Sequence, residues 1–187
     1  MDKVMSPEFR VSFPAVFKPR AFEGQEPKFS VTMLIPKSED ITPLKQLAQK
    51  AINEKWPNPA ERPTGLRHPF RDGDKEKADV QGYAGHWFIK ATSKQKPGVV
   101  DMQVNPIIDE NEFYAGCYAK ATLTAYAYDR AGNRGVAFGL QNVQKQRDGQ
   151  PFSGRSKPED DFGVVEVSGS DFDNTTTVAQ PEGDMFT

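Results

Sequence analysis

Hydrophobic and polar residues alternate along six short segments of the chain, a pattern typical of β-strands with one face toward a core. The clearest is CYAKATLTAYAYD, in which small or apolar side chains at every second position, from Cys117 to Ala127, alternate with tyrosine, lysine and threonine. In FRVSF, we expect Phe9, Val11 and Phe13 to face the core. The predicted strands are residues 9–13, 28–35, 86–92, 99–104, 117–128 and 136–143.

A helical pattern separates the second and third of these segments. Thr42 is a predicted N-cap and Pro43 follows at the favoured first helical position. The apolar residues that come next have helical spacing and predict a helix ending near Trp56. Four prolines then open a long stretch without periodicity that runs to about Val80, and this stretch is predicted to be an exposed loop. The apolar helical positions are Leu44, Leu47, Ala48, Ala51 and Ile52.

These elements predict a mainly β domain with one α-helix between early strands. A five-stranded antiparallel barrel of the OB type is the leading interpretation, because this fold has few strands and binds single-stranded nucleic acid on its face and loops. An open antiparallel sheet with one packed helix is the alternative. The small residues facing inward along 117–127 favour a closed, tightly curved barrel.

The charges are divided unevenly along the 187-residue chain. All 24 lysines and arginines precede residue 158, whereas eight of the 26 acidic residues follow Lys157, which gives the first 157 residues a net charge of +6 and the last 30 a net charge of −8. Together with the loss of periodicity, this predicts a domain at 1–157 and a disordered acidic tail at 158–187. A basic body with an acidic tail indicates nucleic-acid binding, although a merely solubilising tail is the alternative.

Several classes of function lack support in the sequence. No apolar run has the roughly 20 residues of a membrane span, the N-terminus has no secretory signal pattern, and the single cysteine fits a cytoplasmic protein. Neither a catalytic motif nor zinc-ligand spacing is present. An acidic cluster in the long loop has interleaved basic residues that oppose cation binding, so we expect no metal, no cofactor and no enzymatic activity. This cluster consists of Asp72, Asp74, Glu76 and Asp79.

The outward positions of the predicted strands combine aromatic and basic residues. Proteins bind single strands with a positive groove and with aromatic rings on which bases stack. Any one of these rings could instead pack beneath the helix or the long loop, but burying all of them would trap lysines as well. The candidate nucleic-acid-binding residues are Phe88, Lys90, Lys94, Lys96, Tyr118, Lys120, Tyr126, Tyr128 and Arg134.

Three long stretches carry a resemblance to a known family. GYAGHWFIKATSKQKPGVVD, the segment from FYAGCYAKATLTAYAYD to RSKPEDDF, and FPAVFKPRAFEGQEPKFSVTMLIPK resemble the single-stranded DNA-binding proteins of tailed phages, of the kind encoded by phage Enc34. The resemblance spans about residues 5–162. It implies an OB-fold protein that coats single-stranded DNA during phage replication and recombination in the bacterial cytoplasm.

The resemblance also bears on the tail. Proteins with this role often end in an acidic tail closed by an aromatic residue that docks partners, and Asp184 and Phe186 stand near the end of this chain. The expected partners are single-stranded DNA, replication and recombination proteins of phage or host, and further copies of the chain on DNA. A strand-annealing recombination mediator is the main alternative; a nuclease and a protein-interaction module are two others.

Overall fold

In the computed structural model, which describes residues 2–21, 23–152 and 162–165, most of the regular secondary structure is β-strand. Two short 3-10 turns, Pro59–Glu61 and Glu110–Glu112, lie between the main elements. The strands are β1 (Val4–Met5), β2 (Phe9–Arg20), β3 (Lys28–Pro36), β4 (Arg71–Asp72), β5 (His86–Ser93), β6 (Gly98–Val100), β7 (Tyr118–Arg130) and β8 (Asn133–Arg147), and the helices are α1 (Thr42–Lys55) and α2 (Gly73–Glu76).

Five strands pair in a closed ring. β2 pairs with β3, β3 with β5, β5 with β8, β8 with β7, and β7 again with β2. Four of these pairings are antiparallel, but β5 and β8 run parallel, with Ala91 opposite Phe138. The prediction of a mainly β protein with a helix between early strands is confirmed, and one parallel pairing is added to the expected antiparallel barrel.

The inward face of β7 explains the tight closure of the ring. Cys117, Ala119, Ala121 and Leu123 are all buried in the main core cluster, as their alternation predicts. Small side chains let the sheet curve closely around the larger residues of β2, β3 and β5. Opposite Thr122 and Leu123 the register shifts by one extra residue on β8, and this bulge adds to the local twist of the pair.

Helix α1 lies against β7 and β8 through its apolar stripe. Its predicted extent is confirmed, but the N-cap position is one residue earlier in the sequence than expected. Ile41 stands at the N-cap position, and the Asp40 carboxylate accepts a hydrogen bond from the Thr42 backbone N–H at 2.9 Å. Thr42 is therefore the first helical residue, and the acidic side chain before it supplies the acceptor.

Two other local expectations differ from the structure. The strand predicted at 99–104 is only Gly98–Val100, because the Asp101 carboxylate accepts hydrogen bonds from the Gln103 and Asn105 amides and turns the chain. The inward orientation expected for Phe13 is wrong: a bulge after Ser12 turns the ring outward, so that 58% of its surface is exposed.

The chain divides into two units, Met1–Ser156 and Lys157–Thr187. Within the second unit the structure describes residues 162–165, which are exposed and irregular. The disorder predicted for 158–187 otherwise lies outside the described residues, as do Asp184 and Phe186. In the part of the chain that is described, no helix has the length and apolar character to cross a membrane.

Candidate nucleic-acid interface

A cleft of about 1300 Å³ lies on the outer surface of β3 and β5. These are the second and third strands of the five-stranded ring, which form the surface that OB-folds use for oligonucleotides. Part of the floor is polar, because several residues of β3 and β5 that line the cleft are hydroxyl-bearing or basic. Ser30 lies opposite Thr92 and Thr32 opposite Lys90 in the register of the two strands.

One side of the cleft is formed by residues 67–83, which we call the wall segment. Its short strand β4 adds to β5 and places Arg71 opposite Phe88. Helix α2 follows, and its first residue must be glycine, because a Cβ at Gly73 would overlap the backbone carbonyl of Tyr83. The wall segment covers the centre of β5.

A salt-bridge network fastens the wall segment to the end of β3. The Lys37 ammonium lies 2.7 Å from an oxygen of Asp72 and 2.6 Å from an oxygen of Asp74. Its hydrogen bonds hold the pKa of both carboxyls below their usual value and raise the pKa of Lys37 itself. The same ammonium lies 5.2 Å from the centroid of the Trp87 ring on β5.

The opposite side of the cleft is the hairpin between β7 and β8, which carries Tyr126 and Tyr128. The backbone of Arg67 joins this hairpin to the wall segment: its N–H donates to the Arg134 carbonyl at 2.9 Å, and its carbonyl accepts from the Val136 N–H at 3.0 Å. Of the two tyrosines, Tyr126 is the more accessible, with 38% of its surface exposed. The hairpin therefore presents one open aromatic ring beside the floor.

The lining of the cleft is strongly basic. Partial burial lowers the pKa of Lys90, and the neighbouring cations Arg20 and Lys28 lower it further. Arg67, Arg71, Lys75 and Lys77 also line the cleft, while Asp72 and Glu76 are the acidic lining residues and form salt bridges with Lys37 and Arg71. Such a surface suits a polyanion.

Comparisons with known proteins identify the family. A family model described as "Enterobacter phage Enc34, ssDNA-binding protein" matches residues 2–173. The chain belongs to this family. Protein p50 of Acyrthosiphon pisum secondary endosymbiont phage 1 is 35% identical over 165 residues, which cover 81% of this chain and 87% of p50.

Solved structures of phage proteins share the fold. The single-stranded DNA-binding protein of bacteriophage Enc34 in complex with ssDNA superposes with a TM-score of 0.69 at 24% identity, covering 81% of this chain and 89% of that chain. The gp2.5 single-stranded DNA-binding protein of bacteriophage T7 gives 0.55 at 16% identity, covering 84% and 98%. The mainly β fold predicted from the sequence is confirmed, and the family is one of single-stranded DNA-binding proteins.

Four candidate residues of this Enc34-family chain line the cleft: Phe88, Lys90, Tyr126 and Tyr128. Phe88 is not the exposed ring that its outward position predicts, because only 5% of its surface is accessible. Tyr83 packs edge-on against it at 5.3 Å. Phe88 belongs to a small cluster with Leu34, Tyr83 and Phe152 on the outside of the barrel.

The other candidates lie away from the cleft lining. Tyr118 is ten residues from Tyr128 along β7, about 33 Å in an extended strand, and its ring lies 3.8 Å from the guanidinium carbon of Arg147. Lys120 is on the same distant part of β7, opposite Gln144. Lys94 forms a salt bridge with Glu26, Lys96 is exposed between β5 and β6, and Arg134 forms a salt bridge with Asp129 in the hairpin.

The sequence reasoning missed the basic residues on β2, β3 and the wall segment. Lys28, Ser30 and Thr32 were recognisable as the outward face of β3, and β3 pairs with β5 along its whole length. The alternation of β3 was the available signal for its outward face, and the pairing with β5 then places Lys28 on the same surface as Lys90. No alternating pattern in the sequence indicated the positions of Arg20 and Arg67, because each stands where an irregular segment meets the barrel.

Three acidic residues and the histidine of the wall segment have structural partners. Asp72 and Asp74 contact Lys37, Glu76 contacts Arg71, and the Asp72 side chain caps α2. His68 stacks against Phe70 at 6.4 Å. Among the described residues, no group of three or more histidine, cysteine or acidic side chains is arranged to hold a metal ion.

Proposed function

We propose that the chain coats single-stranded DNA without strong sequence preference during phage DNA replication and recombination. The observation that carries this proposal is the basic cleft on β3 and β5, with an accessible tyrosine at its side. Support comes from the family and from the Enc34 protein, which is described in complex with ssDNA.

Tolerance of sequence follows from the groups in the cleft. Lysine and arginine bind phosphates, which are the same in every nucleotide, and an aromatic ring stacks on any base. A duplex keeps its base faces stacked within the helix, so that the ring of Tyr126 has no base to contact. The cleft therefore favours single strands over duplex DNA.

The nucleic-acid-binding residues that we propose are a revised set. Lys90, Tyr126 and Tyr128 remain from the sequence prediction, and Arg20, Lys28 and Arg67 join them because they line the same cleft. Phe88 supports the floor from beneath the wall segment. The revised set leaves out the five sequence candidates that do not line the cleft: Lys94, Lys96, Tyr118, Lys120 and Arg134.

Two alternatives are less well supported. Strand annealing requires a protein that holds two complementary strands, whereas the second cavity described is only about 430 Å³ and includes Glu110 in its lining. A nuclease requires carboxylates free to bind a metal, whereas Asp72 and Asp74 are engaged by Lys37. We infer that the chain acts by binding alone, in the cytoplasm of the bacterial host.

We also propose a role for residues 158–187 as a segment distinct from the DNA-binding domain at 1–157. Their net charge of −8 is opposite to that of the domain and equal in sign to DNA. A tethered polyanion has a high effective concentration near a basic cleft and competes with the strand. Asp184 and Phe186 near the end of the chain then become available to replication partners when DNA occupies the cleft.

A titration with labelled oligonucleotides at several salt concentrations tests the proposed function. If the cleft contacts about four to six phosphates, log affinity falls with log salt at a slope of about −3 to −4, since each phosphate of a single strand contributes about −0.7. A duplex of the same length should bind more weakly at every salt concentration. A slope near zero, or equal affinity for duplex DNA, would contradict the proposal.

A further inference from the structure

Phe13 combines two unfavourable properties on the surface of the barrel. Its ring is 58% exposed, and its backbone φ is 43°, in the left-handed region that residues other than glycine rarely adopt. Both properties would be relieved by glycine or asparagine at this position. An exposed aromatic ring held by a strained backbone is typical of sites that clamp a ligand.

The surrounding contacts hold this conformation. Immediately before Phe13, the Ser12 side chain is 2% exposed, and its hydroxyl lies 2.8 Å from the Tyr83 hydroxyl. The Val11 N–H donates to the Cys117 carbonyl at 2.8 Å, which fixes β2 against β7. The pairing of β2 with β3 shifts register between Ser12 and Ala15, so Phe13 occupies a bulge.

The bulge directs Phe13 into the cleft. Phe13 lines the same cavity as Lys28, Lys90 and Tyr126. Cations that bind phosphates and a ring that stacks on a base are the two components of single-strand binding sites. Because Tyr83 also lines the cleft, its hydrogen bond to Ser12 couples the position of the ring to the wall segment.

We propose that Phe13 is a base-stacking platform of this cleft, presented by the bulge in β2 and positioned by the hydrogen bond between Ser12 and Tyr83. The inference rests on the proposed function, because it assigns a further contact residue to the same site. Stacking on this ring is independent of base identity. Phe13 therefore contributes affinity for single strands and little sequence preference.

The first test compares Phe13→Ala, Phe13→Tyr and the wild-type chain in binding to a single-stranded oligonucleotide. Phe13→Ala should weaken binding by about 5- to 150-fold, the equivalent of one lost stack, and Phe13→Tyr should retain most of the affinity. Met5→Ala is the matched control, because Met5 is 62% exposed on β1 and does not line the cleft. Equal affinities of Phe13→Ala and wild type would overturn the inference.

An oligonucleotide with abasic sites separates stacking from general damage to the site. It keeps the phosphates but offers no bases, so wild type and Phe13→Ala should bind it equally. If the alanine variant is weaker on the abasic strand as well, Phe13 has a structural role and the inference is wrong. Failure of the wild-type chain to bind any single strand would instead overturn the proposed function itself.

Thermal unfolding of Phe13→Gly provides the check on strain. Glycine removes the ring and the penalty of the left-handed backbone together. This variant should unfold at a temperature no lower than Phe13→Ala, yet bind single strands as weakly. A glycine variant that binds single strands with wild-type affinity would contradict the proposal that Phe13 stacks on a base.

The double variant Ser12→Ala/Tyr83→Phe tests the positioning hydrogen bond. Removing both hydroxyls leaves neither polar group unpaired, which limits the effect on folding. The double variant should weaken binding in the wild-type background and have little further effect when Phe13 is already alanine. An equal loss in both backgrounds would show that the hydrogen bond does not act through Phe13.

Discussion

The guanidinium carbon of Arg71 lies 4.8 Å from the centroid of the Phe88 ring, within the range of a cation–π interaction. The same guanidinium forms a salt bridge with Glu76 at 2.9 Å. Phe88 points away from the barrel core, but the wall segment has folded over it. The outer face of β5 is thus divided into a covered half under Arg71 and an open half around Lys90, and the open half belongs to the cleft.

This division separates the expected effects of two aromatic substitutions. Tyr126→Ala should weaken single-strand binding by about 1–3 kcal/mol and leave the free energy of unfolding nearly unchanged, because the ring is partly exposed at the side of the cleft. Phe88→Ala should lower the free energy of unfolding by about 3–5 kcal/mol, as expected for a buried ring. Oligonucleotide titration and chemical denaturation of both variants measure the two effects.

A Tyr126→Ala variant that unfolds easily, or a Phe88→Ala variant that keeps its stability and loses only DNA affinity, would reverse the assignment of the two rings. Tyr118→Ala is the matched control for Tyr126, since both tyrosines are on β7 but Tyr118 lies against Arg147. It should have a small effect on single-strand affinity.

Lys90→Met should reduce the salt dependence of binding. The lysine lies in the floor of the cleft, where burial and the charges of Arg20 and Lys28 lower its pKa. A phosphate placed there would relieve the repulsion, so loss of the charge removes about one phosphate contact and makes the slope of log affinity against log salt less negative by about 0.7.

Lys45→Met is the control, because Lys45 is an exposed lysine on α1 and does not line the cleft. It should keep the wild-type slope. Identical slopes for the two lysine variants would show that Lys90 makes no phosphate contact.

Acidification should release the wall segment from β3. Hydrogen bonds from Lys37 lower the pKa of Asp72 and Asp74 below their usual 3.8, so these carboxylates stabilise the folded state above that pH. The contribution is lost as the pH falls through the lowered pKa values. Since the Lys37 ammonium lies over Trp87, the fluorescence of Trp87 in a Trp56→Phe background should change as the pH falls below about 3.8.

The corresponding change should be absent from Lys37→Met, in which the carboxylates have no ammonium partner and titrate near their ordinary values. A fluorescence change of the same size at the same pH in both proteins would mean that the network does not hold the wall segment.

Deleting residues 158–187 should tighten the binding of single strands. Removing a segment of charge −8 leaves a domain of charge +6 and abolishes competition for the cleft. The gain should be largest at low salt, where screening is weakest, and non-specific binding to duplex DNA should rise as well. If the shortened chain binds no better at low salt, the segment serves solubility or partner docking alone.

The barrel could be read from the sequence because its strands carry a simple alternation. Cys117, Ala119 and Ala121 face the core as expected, and the apolar stripe of α1 is buried as expected. The parallel pairing of β5 with β8 was not readable, because an alternating pattern shows which face is buried but not which strand lies beside it.

The site was only partly predictable, for two physical reasons. A single bulged residue reverses the direction of the next side chain, so Phe13 points outward although Phe9 and Val11 point inward. The wall segment has no periodicity, so its path over Phe88 depends on tertiary contacts such as the salt bridges of Lys37. Lys90 and Tyr126 were found because both lie on regular strands.

The central claim is that single-stranded DNA occupies the cleft on β3 and β5. The most direct test is to map backbone amide chemical shifts in the full-length chain while a short oligothymidylate is added. We expect the largest changes at Lys28, Lys90 and Tyr126, which line the cleft, and small changes at Tyr118 and Lys120 on the distant part of β7. Shifts concentrated at Tyr118 and Lys120, with Lys28 and Lys90 unchanged, would contradict it.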